Sequence, residues 1–158
     1  MPYYAASGET LLRMGTATAS SRATLPAHNA DTYQDVGLVR NIQPPPVEQT
    51  AGSFRILNDK NPRSTGGRQV DQEYTGTVAV DRSDVGYALK ADAWVVGGRY
   101  RNFELEYPDG TIEQFAGFCR RYAMTQLNAD EENAPHEAEF VIRVDGEVKA
   151  RTPETVNK

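Results

Sequence analysis

Alternating apolar and polar positions predict β-strands over most of this chain. Phe54 and Ile56 alternate with Ser53 and Arg55, a period of two that predicts a half-buried strand over Ser53–Leu57. Other segments with strand-like patterns are residues 33–42, 74–80, 102–107, 111–127 and 138–144. The Asp109-Gly110 and Asp145-Gly146 pairs between or after these segments are strong turn signals. The chain therefore reads as mainly β.

One segment has helical spacing instead. Val85, Ala88, Leu89, Ala93 and Val96 recur every three or four positions, which predicts a helix over residues 83–96. Candidate N-caps precede it at residues 81–84, and two glycines at 97–98 end it. Short strands with turn signals and a single helix indicate a β-sandwich or open barrel with one flanking α-helix.

Three segments have too few apolar residues to pack on a core of their own. Residues 1–32 are rich in Ala, Ser, Thr and Gly and are predicted to form an N-terminal arm, with one short strand near Thr10–Met14. Asn58–Glu73 is predicted to be a long polar loop, and residues 151–158 a polar C-terminal tail. The folded domain is accordingly placed at residues 33–150.

Composition narrows the class of protein. The 158 residues fit one domain, and the net charge of −5 argues against a protein that grips nucleic acid or a membrane surface. The first 100 residues carry 10 acids and 10 bases, whereas residues 101–158 carry 12 acids and 7 bases, so the whole excess lies in the last third. Neither a signal-peptide pattern nor a membrane-length apolar run is found, so we expect a soluble protein made in the cytoplasm.

The inventory of reactive side chains is thin. Cys119 lies between Phe118 and two arginines, in a predicted strand, where a small buried side chain is the favoured interpretation over an activated thiolate. His28 and His136 fall in polar segments and favour exposed loop positions. Glu104, Glu106 and Glu113 could form a paired-carboxylate site, although an ordinary solvated face is favoured. We expect no enzyme, no metal and no cofactor.

The order of the segments resembles the major tail tube proteins of long, non-contractile-tailed bacteriophages. The resemblance covers most of the chain and rests on the sequence of pieces, since each alone is weak. The matching pieces are residues 4–12, residues 31–39, the helix at 83–96, Phe103–Thr111, Phe115–Phe118 and residues 138–147.

The resemblance implies a β-sandwich virion protein that assembles as hexameric rings, which stack into a tube for DNA ejection. It implies partners as well: other copies of the chain, tape-measure, tail-tip and tail-terminator proteins, and genomic DNA in transit without specific binding. An acidic lumen would repel phosphates over about a Debye length, roughly 8 Å at physiological salt. The virion tail would be the final location.

Each assembly role is assigned to particular residues. Glu104, Glu106 and Glu113 are expected to face the lumen, because they are predicted to lie opposite Phe103, Leu105 and Tyr107. The expected inter-ring loop contributes Asn58, Lys60, Arg63, Arg68 and Asp71, and the expected arm contacts are Tyr3, Tyr4, Leu11 and Leu12.

Two other classes of function stay open at this point. A monomeric carbohydrate-binding β-sandwich would need exposed aromatic side chains on one face, and Tyr87, Trp94, Tyr100 and Tyr122 are the candidates. An uncharacterised hydrolase would use Glu104 or Glu106.

Overall fold

The computed structural model describes residues 10–58, 60–125 and 136–151. It contains ten β-strands and one short α-helix, which confirms the mainly β prediction with a single helix. The strands are β1 Leu11–Gly15, β2 Tyr33–Asp35, β3 Val39–Gln43, β4 Gln49–Phe54, β5 Arg63–Gln69, β6 Glu73–Ala79, β7 Tyr100–Glu106, β8 Ile112–Met124, β9 Glu137–Val144 and β10 Lys149–Arg151.

Eight strands form one antiparallel sheet in the order β2-β1-β7-β8-β9-β6-β3, with β10 also paired to β8. The 13-residue β8 joins the two halves of this sheet. Its first part pairs with β7 and β10, and its second part pairs with β9, with a register shift between Cys119 and Arg121. Such an irregularity bends a strand and increases its twist. Both halves can therefore share one core.

That core draws on both halves of the sheet. Leu12, Phe103 and Phe115 come from the first half, and Tyr74 and Phe140 from the second, each no more than 2% exposed. The Tyr74 ring stacks on the Phe115 ring with centroids 4.1 Å apart. The period-two pattern predicted these strands correctly, since alternate side chains of β6, β7 and β9 enter the core.

The helix is shorter than its predicted range of residues 83–96. A 3-10 turn at Val85–Tyr87 leads into α1, Ala88–Trp94, and the Asp84 side chain accepts a hydrogen bond from the Gly86 amide at the start of the turn. Leu89 is buried. Val96 was expected on the buried stripe, but it lies beyond the end of the helix and is fully exposed.

The predicted arm over residues 1–32 is wrong for β1. This strand lies inside the sheet between β2 and β7, and Leu12 and Met14 are 2% and 1% exposed. A start of the folded domain at residue 33 is therefore too late. The short strand expected near Thr10–Met14 is present, but its apolar side chains are part of the core.

Residues 16–32, here called the strap, cross the outer face of the first half of the sheet. The Asn102 side-chain amide donates to the Pro26 carbonyl at 2.9 Å and to Asp31 Oδ2 at 3.1 Å. Asp31 also accepts a hydrogen bond from the Ala17 amide at 3.4 Å. Hydrogen bonds from Asn102 of β7 thus fix the strap to the sheet, although its sequence pattern predicts an arm.

The predicted loop over Asn58–Glu73 contains strand β5, which pairs with β4 in a separate two-stranded sheet. The six residues of β4 are all exposed, so the prediction of a half-buried strand over Ser53–Leu57 is also wrong. The alternation of Phe54 and Ile56 predicts an extended strand but not its burial, because these apolar side chains are exposed on the hairpin.

Candidate assembly surfaces

The β4–β5 hairpin, here called the ribbon, projects from the folded body between β3 and β6. Its register runs from Gln49 opposite Gln69 to Phe54 opposite Arg63, with an irregularity between Gln49 and Ala51. Gly67 lies at that irregularity, where an added Cβ would approach Thr50 Oγ1 to 2.2 Å. A glycine is therefore required for the two strands to approach each other there.

The ribbon exposes apolar side chains that a monomer would normally cover. Leu57 is fully exposed, Phe54 and Ile56 are 47% and 43% exposed, and Val47 and Val70 at its base are also open. Contiguous exposed apolar groups in a soluble domain mark an interaction surface. This is the largest concentration of exposed apolar side chains in the described part of the chain.

The residues predicted for an inter-ring loop do not form one uniform surface. Asn58 and Lys60 lie in the turn of the ribbon and are exposed, while Arg63 and Arg68 belong to β5. Asp71 lies past the end of β5 and forms an ion pair with Arg143 of β9. Asp71 therefore fastens the base of the ribbon to the body.

The residues predicted as arm contacts do not form one surface either. Leu11 is half-buried and Leu12 is buried in β1, so Leu12 packs inside its own subunit. Tyr3 and Tyr4 lie outside the described residues, as do residues 152–158 of the predicted tail.

The three glutamates predicted to share a lumen face do not share one. Glu104 lies opposite Gln114, but Glu113 lies opposite Leu105, so Glu113 points to the side of the sheet that bears the core. The prediction was wrong for Glu113 because β8 pairs with β7 in a register that places Gln114, and not Glu113, beside Glu104.

Glu104 and Glu106 share a face but are not free carboxylates. Glu104 is 7% exposed, accepts a hydrogen bond from the Gln114 amide at 2.7 Å and lies 3.8 Å from the Arg13 guanidinium. Glu106 pairs with the same guanidinium at 2.5 Å, and Asp35 pairs with it at 3.0 Å. Arg13 therefore binds all three carboxylates but offsets only one of their three negative charges.

Glu113 is hydrogen-bonded by two tyrosines. The Tyr74 hydroxyl donates to Glu113 Oε2 at 2.5 Å, and the Tyr107 hydroxyl also hydrogen-bonds to this carboxylate. Burial, followed by the nearby Glu113 carboxylate, raises the pKa of both Tyr74 and Tyr107 well above the ordinary tyrosine value. Both hydroxyls therefore stay protonated and hold Glu113 in place.

A buried ion-pair network, which sequence patterning missed, fixes the helix to the sheet. Asp92 of α1 is 1% exposed and bonds Arg101 Nε at 2.5 Å and Arg99 Nη1 at 3.2 Å. The Arg101 guanidinium also donates to the Gly15 carbonyl at 3.1 Å. The one sequence signal for this network is an acidic residue on the helical face that also holds Leu89.

The candidate catalytic residues are not brought together. Cys119 is 2% exposed, and burial raises the pKa of its thiol to about 12, so it is not an activated nucleophile. His28 Nδ1 lies 3.0 Å from the Tyr33 hydroxyl in the strap, and burial lowers the pKa of its imidazole. His136 is exposed at the start of β9. Within the described ranges, no group of three or more His, Cys, Asp or Glu side chains is placed to hold a metal ion.

The aromatic side chains do not form a common binding face. Trp94 is 87% exposed at the end of α1, whereas Tyr100 packs edge-on against Phe118 with ring centroids 5.2 Å apart. Tyr87 and Tyr122 are partly buried. No helix among residues 10–58, 60–125 and 136–151 is long and apolar enough to cross a membrane.

Solved structures define the class of fold. A chain of the PVC sheath/tube terminator of an extracellular contractile injection system matches with a TM-score of 0.69 at 8% identity, over 96% of this chain and 99% of that one. A chain of the tail of an empty gene transfer agent particle, refined with C6 symmetry, matches with a TM-score of 0.63 at 13% identity, over 90% and 96%. The SPP1 tail tube matches with a TM-score of 0.52 at 12% identity, over 91% and 77%.

The chain therefore has the fold of subunits found in tail and tube assemblies. Contractile injection systems and the SPP1 tail tube both occur among these neighbours, so the fold does not single out the non-contractile-tailed family that the sequence resembles.

Sequence comparison gives a different and shorter match. No protein-family profile matches the chain. The aspartate–tRNA(Asp/Asn) ligase of Sinorhizobium medicae is 40% identical over 86 residues, and that of a Chelativorans species is 41% identical over 81 residues. These segments cover 51% and 48% of this chain, but the chain spans only 13% and 12% of the length of the ligases.

Proposed function

We propose that this chain is a structural subunit of a tail tube, which polymerises as stacked hexameric rings and forms a conduit for DNA. Three features support the proposal: the order of segments along the sequence, a fold similar to tail and tube subunits over at least nine-tenths of the chain, and the exposed ribbon. Tape-measure, tail-tip and tail-terminator proteins would be its other partners in the virion.

The ribbon is the observation that carries the proposal. A two-stranded hairpin on its own is at best marginally stable in water, and among residues 10–58, 60–125 and 136–151 no third strand pairs with this one. It also exposes Phe54, Ile56 and Leu57. A subunit gains burial and order for such a hairpin by placing it against a neighbour, and we assign it to contacts between rings.

An acidic lumen needs a different assignment from the one made on sequence. Glu104 and Glu106 are paired with Arg13, and the strap crosses the same face of the sheet. The outer face of the second half of the sheet has Thr75, Thr77 and the exposed Glu139, together with Glu73 and Glu137, which pair with Arg143 and Arg40. We assign the lumen to this second face because the strap crosses the first one, and the net charge of −5 would keep DNA from adhering.

An enzymatic role has weaker support. The ligase match covers about half of this chain and about an eighth of each ligase, whereas the tail and tube neighbours cover 90–97% of this chain. Cys119 is buried, and the candidate carboxylates Glu104, Glu106 and Glu113 are held by arginine or tyrosine side chains. The similarity that supports a role in assembly therefore covers more of the chain than the similarity that supports an enzymatic role.

The test is electron microscopy of the purified protein before and after removal of the ribbon. We expect the intact protein to form rings or tubes about 100 Å wide, from six domains of about 13–15 Å radius around a DNA-wide hole. Replacing residues 50–68 with a short Gly-Ser linker should leave a folded, soluble protein that no longer stacks. Trp94→Ser, a change at an exposed aromatic away from the ribbon, is the control and should assemble normally. Stacked tubes from the protein without its ribbon would refute the assignment.

A further inference from the structure

The turn of the ribbon combines two chemistries. Ile56 and Leu57 expose aliphatic side chains, and the exposed Arg55 and Lys60 place cations beside them. Residues 49–70 carry four bases and one acid, a net charge of +3, which leaves −8 on the rest of a chain whose total is −5. The ribbon is therefore a cationic element on an anionic body.

A cleft at the base of the ribbon has the complementary chemistry. Its volume is about 230 Å³, and its lining includes Pro44, Pro45, Val47, Glu113, Glu147 and Val148. The prolines and valines supply an apolar wall. The two glutamates supply negative charge, and neither forms an ion pair with a cation among the described residues.

Two other surface clefts lack this combination. The cleft beside β1 and β3 contains Arg40 and no carboxylate, and the cleft beside α1 contains Asp84 together with Arg82 and Arg101. The charged lining of each is net positive, so a cationic tip is disfavoured at both. Glu113 also has its carboxylate oriented in advance by the Tyr74 and Tyr107 hydroxyls, so little side-chain entropy is lost when a cation binds.

The tip of the ribbon cannot fill the cleft of its own subunit. Val47 and Gln69, at the base of the ribbon, line the cleft, while residues 55–62 lie at the far end of β4. Six residues of strand span about 20 Å. The tip that enters this cleft must belong to a second copy of the chain.

We propose that the ribbon tip of one copy, residues 55–58 and 60, docks in the cleft that Pro44, Val47, Glu113, Glu147 and Val148 line in a second copy. Arg55 and Lys60 pair with Glu113 and Glu147, while Ile56 and Leu57 pack on Pro44, Val47 and Val148. The contact is head-to-tail, so each copy still has a free tip or a free cleft, and contacts of this kind between rings continue into a stack. This inference rests on the proposed function, because the contact forms only if copies of the chain assemble with one another.

Disulfide trapping tests the contact without requiring a complete tube. A Leu57→Cys copy is mixed with an Ala150→Cys copy, since Ala150 is exposed at the edge of the cleft. The control mixture pairs Leu57→Cys with Trp94→Cys, which is exposed elsewhere. The native Cys119 is 2% exposed and should not compete. We expect the first mixture to cross-link at least about tenfold faster than the control.

Charge reversal tests the electrostatic part. Arg55→Glu with Lys60→Glu in the Leu57→Cys copy should slow trapping by about tenfold, and added salt should slow the unreversed pair. The control is Arg82→Glu with Lys90→Glu in the Leu57→Cys copy, at exposed cations away from the ribbon. It changes the net charge by the same amount and should leave the rate of trapping unchanged.

The outcomes separate this inference from the proposed function. Preferential trapping without rings or tubes in the microscope would support the contact and count against the tube. Tubes from the intact protein without preferential trapping would overturn the contact and leave the tube role standing. Equal trapping at Ala150→Cys and Trp94→Cys overturns the inference whether or not tubes form.

Discussion

At the scale of single residues, Asp92 illustrates what sequence patterning could not predict. Its position on the buried side of α1 follows from helical spacing, but its partners lie seven and nine residues later on a different element. Only the return of the chain along β7 brings Arg99 and Arg101 beside it. The same limit applies to Glu113, whose tyrosine partners come from β6 and from the end of β7.

Neutralising Asp92 should be strongly destabilising. Asp92→Asn leaves Arg101, whose side chain is only 12% exposed, without its anionic partner, and breaking a buried pair in this way costs about 3–5 kcal/mol. Urea denaturation measures the free energy of unfolding. The control is Asp35→Asn, since the Asp35 side chain is 62% exposed and its pair with Arg13 contributes about 1 kcal/mol or less. Equal losses in the two variants would contradict a structural role for the buried network.

The raised pKa values of Tyr74 and Tyr107 predict that the free energy of unfolding falls at alkaline pH. Their folded-state pKa values are raised above the ordinary 10.0, so their contribution is fully present below pH 10. It is lost as the pH rises from there towards the folded-state pKa values, because the unfolded chain releases these protons first. The free energy of unfolding should fall by up to about 1.4 kcal/mol per pH unit for each tyrosine.

The matched comparison is the slope of stability against pH between 9 and 11. Tyr74→Phe should show a shallower decline than the unchanged protein, whereas Tyr87→Phe, away from Glu113, should keep the original slope. An unchanged slope in Tyr74→Phe would mean that Tyr74 is not the group that titrates on unfolding.

At the scale of elements, the sequence predicted those strands that have one face on the core. β6, β7 and β9 alternate because every second side chain enters the core. β1 and the ribbon were misread for opposite reasons. β1 is short and follows a polar stretch, although its Leu12 and Met14 are buried. The ribbon has an alternating pattern at Phe54 and Ile56, although both side chains are exposed.

The place of β1 in the sheet changes what truncation should do. A chain that begins at Thr10 keeps β1, whereas a chain that begins at Thr16 loses the strand between β2 and β7 along with Leu12 and Met14. We expect the first to unfold cooperatively, because it retains every described strand. The second should lose several kcal/mol, at about 2–5 kcal/mol for each large buried side chain removed, and fail to give a sharp transition. Equal thermal midpoints would show that β1 adds nothing to the core.

At the scale of the whole molecule, charge is separated in a way that the net value of −5 conceals. The excess of acids over residues 101–158 was evident from counting, and so was a polar segment at 58–73. Their relation depends on the three-dimensional structure, because only there does the cationic ribbon project from the body while Glu113 and Glu147 line a cleft at its base.

This separation predicts that contact with DNA depends on assembly. Free subunits carry a ribbon whose sequence, residues 49–70, has a net charge of +3, and they should retain double-stranded DNA weakly at about 50 mM salt, with loss at about 200 mM as counterions compete. Assembled rings should retain none, because the tips are then paired with carboxylates and the remaining surface is anionic. Filter binding of labelled DNA to the separated free and assembled fractions measures this retention.

Charge-reversal variants test the role of the ribbon cations. Arg55→Glu with Lys60→Glu should abolish the weak binding, and Arg82→Glu with Lys90→Glu should reduce it less. Stronger retention by rings than by free subunits would mean that the cations face the lumen, which is incompatible with a tube through which DNA slides.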